Sequence, residues 1–542
     1  MLCAAALWTL AALLSALLVY GFHPLKRWRF RRFLGPRPAW LLGNIREVRA
    51  LGLETALQKW GRQYGPVFVC WLGGVPHVVT EDPDLARKVL VLAGRNRFPN
   101  LLLGMDEAHV GHSLFFASGE QWKVARNAWQ SLNNLCGLMA ACAERLLSAL
   151  DRVAGSGQPT DIRKQAGRSC ALQVNFDTLA AGAQGQDSRK HVQATTADSL
   201  VAHVNEIFTS MGNVAAWSAL LLLFPELERV VKWLANLLPD GRFRRELVAR
   251  RQLRGLTHEL IQNTREAQQA EGSDNAGASA TLDNAALPAS SQRRSRAAPG
   301  SFLALLTPVS DGGKAVDGGR LDDLWVSAQA STFIGAGYET TANVLSYAVY
   351  LLASNPEKEA KLLAEIDAHE RSRSGDGGGA LLPEAGWGEP GQAQPFPYAA
   401  AESLRLFPPV PAIGRQPKGP GMRLGGYDIP ADATLLVSVF GMHRSERLWR
   451  DATDFRPERF LPGNDAEAPP GAFVPFGDGA RRCIGYRFAL TEATLVLTRV
   501  YQQFTFRLLP GAAPLKLQTG LTMSPAGGIP VTVHRRAAAG QE

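Results

Sequence analysis

The stretch that most constrains this chain lies near its C-terminal end, where residues Phe476 to Gly485 read FGDGARRCIG. Apolar residues follow it at steps of three and four positions, which is the spacing of an α-helix. These residues are Ala489, Ala493, Leu497, Val500 and Phe504. The pattern therefore predicts a cysteine, Cys483, that is presented by a glycine-rich loop at the start of a helix.

The residues around Cys483 indicate a sulfur with a chemical role. Gly479 and Gly485 allow the backbone to turn tightly and allow a flat group to approach it closely. Arg481 and Arg482, together with the positive N-terminal end of the following helix, favour the thiolate over the thiol. A thiolate surrounded by amide donors is a good ligand for iron. A lone cysteine is more often a small buried hydrophobic residue, so this interpretation depends on the whole loop.

The spacing F-x-x-G-x-R-x-C-x-G resembles the haem-binding loop of the cytochrome P450 family, and every position of that pattern is filled here. The resemblance implies that Cys483 is the axial ligand of the iron of haem b, and that Phe476 and Arg481 lie against the cofactor. In that family the thiolate pushes electron density onto the iron and favours O–O cleavage. The fold that it implies is mostly α with a smaller β portion.

The composition permits a large globular body, because 46% of the 542 residues are hydrophobic and 20% are charged. Length alone suggests three or four domains. The motifs are spread over most of the chain and are expected to meet in one site, which predicts a single large catalytic domain at 45–538. Two stretches of small and polar residues, about 268–300 and about 371–394, are predicted to be low-complexity surface inserts.

Cysteine usage and charge narrow the class of protein. The six cysteines form no close pair and no C-x-x-C motif, which argues for a reducing compartment and against a disulfide framework or a zinc site. The net charge of +9 suits an anionic membrane or an acidic partner, although solvated surface explains much of it. No nucleic-acid-binding motif is present in the sequence.

The N-terminal residues predict a transmembrane anchor at 1–24 and a basic, proline-rich hinge at 25–44. Leu2 to Phe22 carries no charge, and about 20 apolar residues span a bilayer as a helix. The basic cluster from Lys26 to Arg32 places the rest of the chain on the cytosolic side. Microsomal family members share this arrangement, which implies a single-pass protein of the endoplasmic reticulum. A cleaved signal peptide or a plastid transit peptide fits less well, because the charge follows the apolar run and serine is scarce.

Local patterns predict several elements of the body. Strands are expected over 67–72 and 75–80, joined at Gly73-Gly74, and a helix is expected from Pro83 to Leu90. Near the C-terminal end, residues 517–523 and 529–533 are predicted to form a strand pair.

Trp122 and Arg126 lie four positions apart, so a helix would place both side chains on one face. An indole N–H and a guanidinium both suit carboxylates, and haem carries two propionates. The same W-x-x-x-R pattern occurs in the family, and Arg415 matches a family position that often contacts a propionate. Without the cysteine loop, a surface amphipathic helix is the commoner explanation of the pair.

Residues 324–354 have helical periodicity and contain AGYETT, from Ala336 to Thr341. The Thr340 hydroxyl can bond the carbonyl of Ala336 and widen the helix locally. The motif resembles [A/G]-G-x-[D/E]-T-T of the same family, which implies that Ala336 and Gly337 lie against haem. It also implies that Glu339 and Thr340 relay protons to a bound oxygen molecule. Members that isomerise peroxides often lack this acid–alcohol pair. A close helix–helix contact of small residues is the alternative.

Glu402 and Arg405 lie three positions apart in a predicted helix, and Arg459 belongs to the stretch PERF. In the family, E-x-x-R and P-E-R-F form a buried charged triad that braces the segment leading to the cysteine. The resemblance implies that these three residues form it here through charge-assisted hydrogen bonds. An E-x-x-R pattern on its own is usually a surface pair.

The function that the resemblance implies is that of a haem-thiolate monooxygenase acting on an apolar substrate such as a sterol, terpenoid or fatty acid. The sequence has no convincing flavin or nicotinamide site, so electrons are expected from NADPH–cytochrome P450 reductase, a flavoprotein at the same membrane. Basic residues near the cysteine suit an acidic partner. Two alternatives stay open: a haem-thiolate isomerase or dehydratase that needs no reductase, and a haem-binding sensor without catalysis.

Overall fold

The computed structural model describes most of the chain between residues 24 and 536, with two isolated positions before that, 12 and 15. The described ranges are 24–92, 111–117, 119–130, 136–168, 202–204, 206–207, 216–224, 227–279, 323–375, 396–417, 419, 422–464, 467, 469–520 and 522–536. Helices dominate this part of the chain and short strands form small sheets, which is the mixed, helix-rich architecture that the sequence predicts.

The helices are numbered here in chain order. They are α1 (Pro24–Arg29), α2 (Ile45–Leu51), α3 (Leu53–Tyr64), α4 (Pro83–Leu92), α5 (Gly119–Gln130), α6 (Cys136–Ser156), α7 (Ile162–Ala166), α8 (Ala216–Leu223), α9 (Glu228–Leu237), α10 (Gly241–Ser279), α11 (Asp323–Ser354), α12 (Pro356–Gly375), α13 (Phe396–Leu406), α14 (Val439–His443) and α15 (Tyr486–Gln503).

The strands are numbered in the same way. They are β1 (Val67–Leu72), β2 (Val75–Thr80), β3 (Thr160–Asp161), β4 (Ala412–Arg415), β5 (Met422–Leu424), β6 (Tyr427–Ile429), β7 (Thr434–Ser438), β8 (Phe504–Leu508), β9 (Leu517–Thr519), β10 (Met523–Pro525) and β11 (Pro530–Arg535).

The largest described sheet has the strand order β1-β2-β7-β4. The β1–β2 hairpin has the predicted bounds, with Leu72 opposite Val75, because Gly73 takes a φ of +61° in the turn. Strand β7 runs parallel to β2 and antiparallel to β4. This sheet holds Arg415 at the end of β4.

Helix α11 passes through the main hydrophobic core. Side chains of α6, α13 and α15, together with those of β8 and β11, pack around its second half. Between Asn343 and Leu352 every residue of α11 is buried, so this part of the helix is enclosed on all sides. The core therefore fixes α11 relative to α15, the helix that follows the cysteine loop.

The predicted pairing of 517–523 with 529–533 is wrong. Strand β9 instead pairs with β10 in a hairpin of its own, and β11 pairs with β8 and β3. The turn that interrupts the predicted strand contains Gly520, whose N–H donates to the carbonyl of Thr522 at 2.9 Å. Phe504, the last member of the predicted helical series, is the first residue of β8.

The predicted anchor at 1–24 lies almost entirely outside the described residues, as does most of the two predicted inserts. Helix α10 continues to Ser279 and α12 to Gly375, so the first part of each predicted insert is helical. Among the helices that the structure describes, none combines the length and apolarity required to cross a bilayer.

Candidate active site

The loop that presents Cys483 is a tight backbone turn. The N–H of Cys483 donates to the carbonyl of Phe476 at 2.9 Å, which closes the loop on itself. Gly477 and Gly479 have φ angles of +71° and +72°, a conformation that residues with a side chain rarely adopt. Helix α15 then begins at Tyr486, so the cysteine directly precedes a helix, as the sequence predicts.

Residue Cys483 is exposed, yet the surrounding protein desolvates its thiol. Of the cysteines whose side chains the structure describes, Cys483 is the exposed one. Desolvation by the surrounding protein nevertheless raises its pKa, while the N–H of Gly485 and the charges of Arg126 and Arg482 lower it. The charge of Arg482 thus favours the thiolate, as expected, but desolvation has the larger effect on the pKa. A metal ion deprotonates a thiol that coordinates it, so the raised pKa is compatible with an iron ligand.

Trp122 connects α5 to the cysteine loop. The guanidinium groups of Arg126 and Arg481 lie over its ring, at 5.7 and 4.8 Å from the centroid. Arg126 also donates to the backbone carbonyl of Arg482 at 2.9 Å, and Arg481 donates to that of Ala117 at 2.7 Å. The structure thus brings the W-x-x-x-R pair against the loop that carries Cys483.

Arg415 joins Arg126 and Arg481 in a cluster of positive charge. Burial and the charge of Arg481 lower the pKa of Arg415 to about 10. Burial and the charge of Arg126 likewise lower the pKa of Arg481. Nη1 of Arg481 is buried and has no hydrogen-bond partner among the described residues. Mutually repelling guanidinium groups with an unused donor fit an anionic group with carboxylates, such as the two propionates of haem.

The middle of α11 offers an accessible surface within an otherwise buried helix. Ala336 is exposed, and Gly337 and Thr340 beside it are partly exposed. The Thr340 hydroxyl donates to the carbonyl of Ala336 at 2.6 Å, as the sequence predicts. The predicted widening is not present, because α11 stays α-helical through the motif. The hydroxyl bond therefore adds to the helical hydrogen bonds without displacing them.

The carboxylate of Glu339 is buried, and both of its oxygens have partners. Arg163 of α7 donates to Oε1 at 2.8 Å, and the Thr522 hydroxyl donates to Oε2 at 2.6 Å. Burial raises the pKa of Glu339, while the Thr522 hydrogen bond and the Arg163 charge oppose that shift. Sequence reasoning missed both partners, because they lie 176 and 183 residues away along the chain and belong to no local pattern.

Glu402, Arg405 and Arg459 meet in a fully buried cluster. Arg405 donates from Nε and Nη2 to the two oxygens of Glu402, each at 2.7 Å, and Nε of Arg459 donates to Oε1 at 3.3 Å. A second carboxylate, Glu467, accepts from Arg459 at 3.2 Å. The sequence gives no periodic signal for Glu467, because it follows Arg459 in an irregular segment.

A chain of hydrogen bonds connects this cluster to the cysteine loop. Arg405 donates to the carbonyl of His443 at 2.7 Å, and Nε2 of His443 accepts from the N–H of Val474 at 3.0 Å. The carbonyl of Val474 in turn accepts from the N–H of Gly477 at 3.0 Å. Burial and the charge of Arg405 lower the pKa of His443 to about 3, so its ring is neutral and can accept.

Comparison with known proteins agrees with this arrangement. The family model described as Cytochrome P450 matches residues 34–531. The chain belongs to the cytochrome P450 family. Its similar curated relatives include thromboxane-A synthase of Macaca fascicularis, which is 28% identical in an alignment that covers 97% of this chain and 96% of that protein. They also include cytochrome P450 3A5 of Homo sapiens, which is 27% identical in an alignment that covers 98% of this chain and 96% of that protein.

Cytochromes P450 are haem-iron oxidoreductases, and the site residues fit haem b. When haem b is bound, Cys483 would provide the thiol for the iron, the three arginines would suit the propionates, and the accessible Ala336–Gly337 surface would be available to the ring. When bound, haem supplies iron-centred oxygen chemistry whose character the thiolate ligand sets.

Proposed function

We propose that this cytochrome P450 is a monooxygenase that inserts one oxygen atom of O2 into an apolar organic substrate and releases the other as water. The observation that carries the proposal is the acid–alcohol pair Glu339–Thr340 beside the exposed surface of Ala336. Cleavage of O2 consumes protons, and a hydroxyl next to a buried carboxyl can hold and pass them. Sterols, terpenoids and fatty acids are the substrate classes that suit such an enzyme.

The two residues contribute different properties to proton delivery. The Thr340 hydroxyl is partly exposed, and its bond to Ala336 fixes the position of its oxygen, which still has lone pairs to accept a proton. Burial raises the pKa of Glu339 and thus moves this carboxyl toward the range in which it takes and gives protons near neutral pH.

Exposed basic residues on the Cys483 side of the protein support docking of an acidic electron donor. Arg482 and Arg487 are exposed, and the Arg87 side chain is 73% exposed near Asp478. Complementary charge accelerates and orients such encounters. NADPH–cytochrome P450 reductase is the flavoprotein that we propose for this role.

Exposed apolar side chains support attachment to a membrane, which we assign to the endoplasmic reticulum with the catalytic domain in the cytosol. Trp233 and Leu237 on α9 are 63% and 60% exposed, while the opposite face of the helix packs in a small core. Trp28 and Leu34 are 62% and 63% exposed, directly after the proposed single-pass anchor at 1–24. Exposed apolar patches of this kind mark contact surfaces.

The names of several relatives favour a second candidate function. Proteins called thromboxane-A synthase are among the similar curated sequences. The second candidate is therefore an isomerase or dehydratase that rearranges an oxygen-rich substrate and needs neither O2 nor a reductase. Rearrangement or dehydration of an organic peroxide under anaerobic conditions without NADPH, with no second molecule oxidised, would favour it over the monooxygenase.

The test of the monooxygenase is Thr340→Ala in the presence of reductase and NADPH. The variant is expected to keep its haem, to form less product and to release more hydrogen peroxide, because proton delivery to the oxygen is impaired. Thr332→Ala is the matched control, because the Thr332 hydroxyl donates to the carbonyl of Ala328 on the same helix in the same way. Equal ratios of product to NADPH in wild type and Thr340→Ala would contradict the proton-relay role.

A further inference from the structure

The β9–β10 hairpin is attached to two buried carboxylates. The Thr519 hydroxyl donates to Oε2 of Glu54, and the Thr522 hydroxyl donates to Oε2 of Glu339. Glu54 and Glu339 are 3% and 6% exposed. The hairpin is therefore hydrogen-bonded to a buried carboxylate on each side of its turn. One of these carboxylates, Glu339, is the acid of the α11 motif.

Backbone contacts of Met523 fix the hairpin against α11. The carbonyl of Met523 accepts from Nδ2 of Asn343 at 3.1 Å and from the Tyr347 hydroxyl at 2.9 Å, and its N–H donates to the carbonyl of Pro409 at 2.7 Å. Asn343 and Tyr347 follow Glu339 by one and two helical turns. The position of the adjacent Thr522 hydroxyl is thus set by rigid contacts along one side of the helix.

The second oxygen of Glu339 is held by an equally well supported side chain. Arg163 donates from Nη2 to Oε1 of Glu339 and from Nε to Oδ1 of Asn343, at 2.8 and 2.7 Å. The Asp161 carboxylate accepts from the N–H groups of Arg163 and Ile529, each at 3.0 Å, and so anchors the start of α7. Glu339 is thereby held from two elements, and neither contact involves Thr340.

We propose that Thr522 is a positioning residue that, with Arg163, latches the carboxylate of Glu339 on the buried side of α11. The carboxylate of Glu339 then has to break its hydrogen bond with the Thr522 hydroxyl before it exchanges a proton with Thr340. Successive residues of a helix are rotated by about 100°, so a change of side-chain rotamer brings the carboxylate toward its neighbour. The hydrogen bond from Thr522 to Glu339 therefore controls proton delivery, and this inference rests on the proposed monooxygenase function.

The test compares Thr522→Val with Thr519→Val in the full-length protein containing haem. Each substitution keeps the side-chain shape and removes one hydroxyl that donates from this hairpin to a buried carboxylate, but only Thr522 touches Glu339. Thr522→Ser retains the donor and serves as the rescue. The first measurement is the infrared band of protonated Glu339, assigned by its loss in Glu339→Gln. The second is the solvent isotope effect on product formation with reductase and NADPH.

Thr522→Val is expected to increase the infrared band several-fold at neutral pH, because a hydrogen bond that favours the charged form is lost. It is also expected to lower the solvent isotope effect toward one, while Thr519→Val and Thr522→Ser match the wild type. An unchanged band in Thr522→Val, or equal isotope effects in the two valine variants, would overturn the proposed positioning role of Thr522. Absence of O2 consumption by the wild type would instead refute the proposed function, and the infrared comparison still decides whether Thr522 controls Glu339.

Discussion

At the scale of single residues, Gly479 and Gly485, which flank Cys483, have different structural roles. Gly479 has a φ of +72°, and a Cβ there would lie 2.9 Å from Cα of Val91 and 3.0 Å from the carbonyl oxygen of Leu90. Gly485 has an ordinary φ of −85°, and a Cβ there would meet nothing within 4 Å. Gly479 therefore lets the loop pack on α4, whereas Gly485 leaves open space beside the sulfur.

Gly479→Ala is expected to destabilise the loop, because the added methyl group combines an unfavourable φ with a collision against backbone. Each of these effects costs about 1–3 kcal/mol. The control is Gly157→Ala, because Gly157 has a similar φ of +65° and open space around it. The free energy of unfolding and the haem content of the purified variants are measured. Equal losses in the two variants would show that contact with α4 does not matter.

Sequence reasoning at this scale succeeds where a contact is local. The Thr340–Ala336 bond was predictable because a helix places a hydroxyl beside the carbonyl four residues back. The partners of Glu339 were not, because Arg163 and Thr522 reach it through the tertiary fold. The same applies to the raised pKa of Cys483, which depends on desolvation by the surrounding protein that the loop sequence does not encode.

At the scale of elements, the buried charges between α13 and the segment before the loop support the site. Helix α13 ends at Leu406, and this end was predictable from Pro408 and Pro409, which follow it. The parallel pairing of β2 with β7 was not, because their sequences lie far apart and carry no signal of register. Family motifs, rather than local pattern, were what predicted the meeting of Glu402, Arg405 and Arg459.

Arg459→Met is expected to lower the free energy of unfolding by about 3–5 kcal/mol, because it leaves the buried carboxylate of Glu402 with one cationic partner fewer. Haem content should fall with it. The control is Arg423→Met, because the Arg423–Asp428 pair is 70% and 73% exposed and such pairs contribute at most about 1 kcal/mol. If both substitutions cost the same, the buried cluster does not brace the loop.

At the scale of the whole molecule, two buried groups give the stability opposite dependences on pH. His443 has its pKa lowered to about 3, so its contribution is present above its ordinary value near 6.5 and is lost as the pH falls toward 3. Glu81 has its pKa raised by burial to about 7, so its contribution is present at low pH and is lost as the pH rises through 7. His443 is therefore expected to lower the free energy of unfolding as the pH falls, and Glu81 is expected to lower it as the pH rises toward 7.

His443→Gln is expected to remove the acid-side dependence, because glutamine does not titrate and retains an acceptor for the N–H of Val474. Between pH 6 and 4, the free energy of unfolding of the wild type should fall relative to the variant by up to about 1.4 kcal/mol per pH unit. Chemical denaturation at several pH values measures this difference. The exposed His534 provides the control His534→Gln, and parallel curves for wild type and His443→Gln would contradict the assignment.

The most direct measurement concerns the bond between Cys483 and the iron. The purified full-length protein is reduced, exposed to carbon monoxide and examined for the red-shifted absorption of a thiolate-ligated haem. Wild type and Cys142→Ala are expected to show this absorption, and Cys483→Ser is expected to lose it while remaining folded. Its absence from folded wild-type protein, or its persistence in Cys483→Ser, would contradict the assignment of Cys483 as the iron ligand.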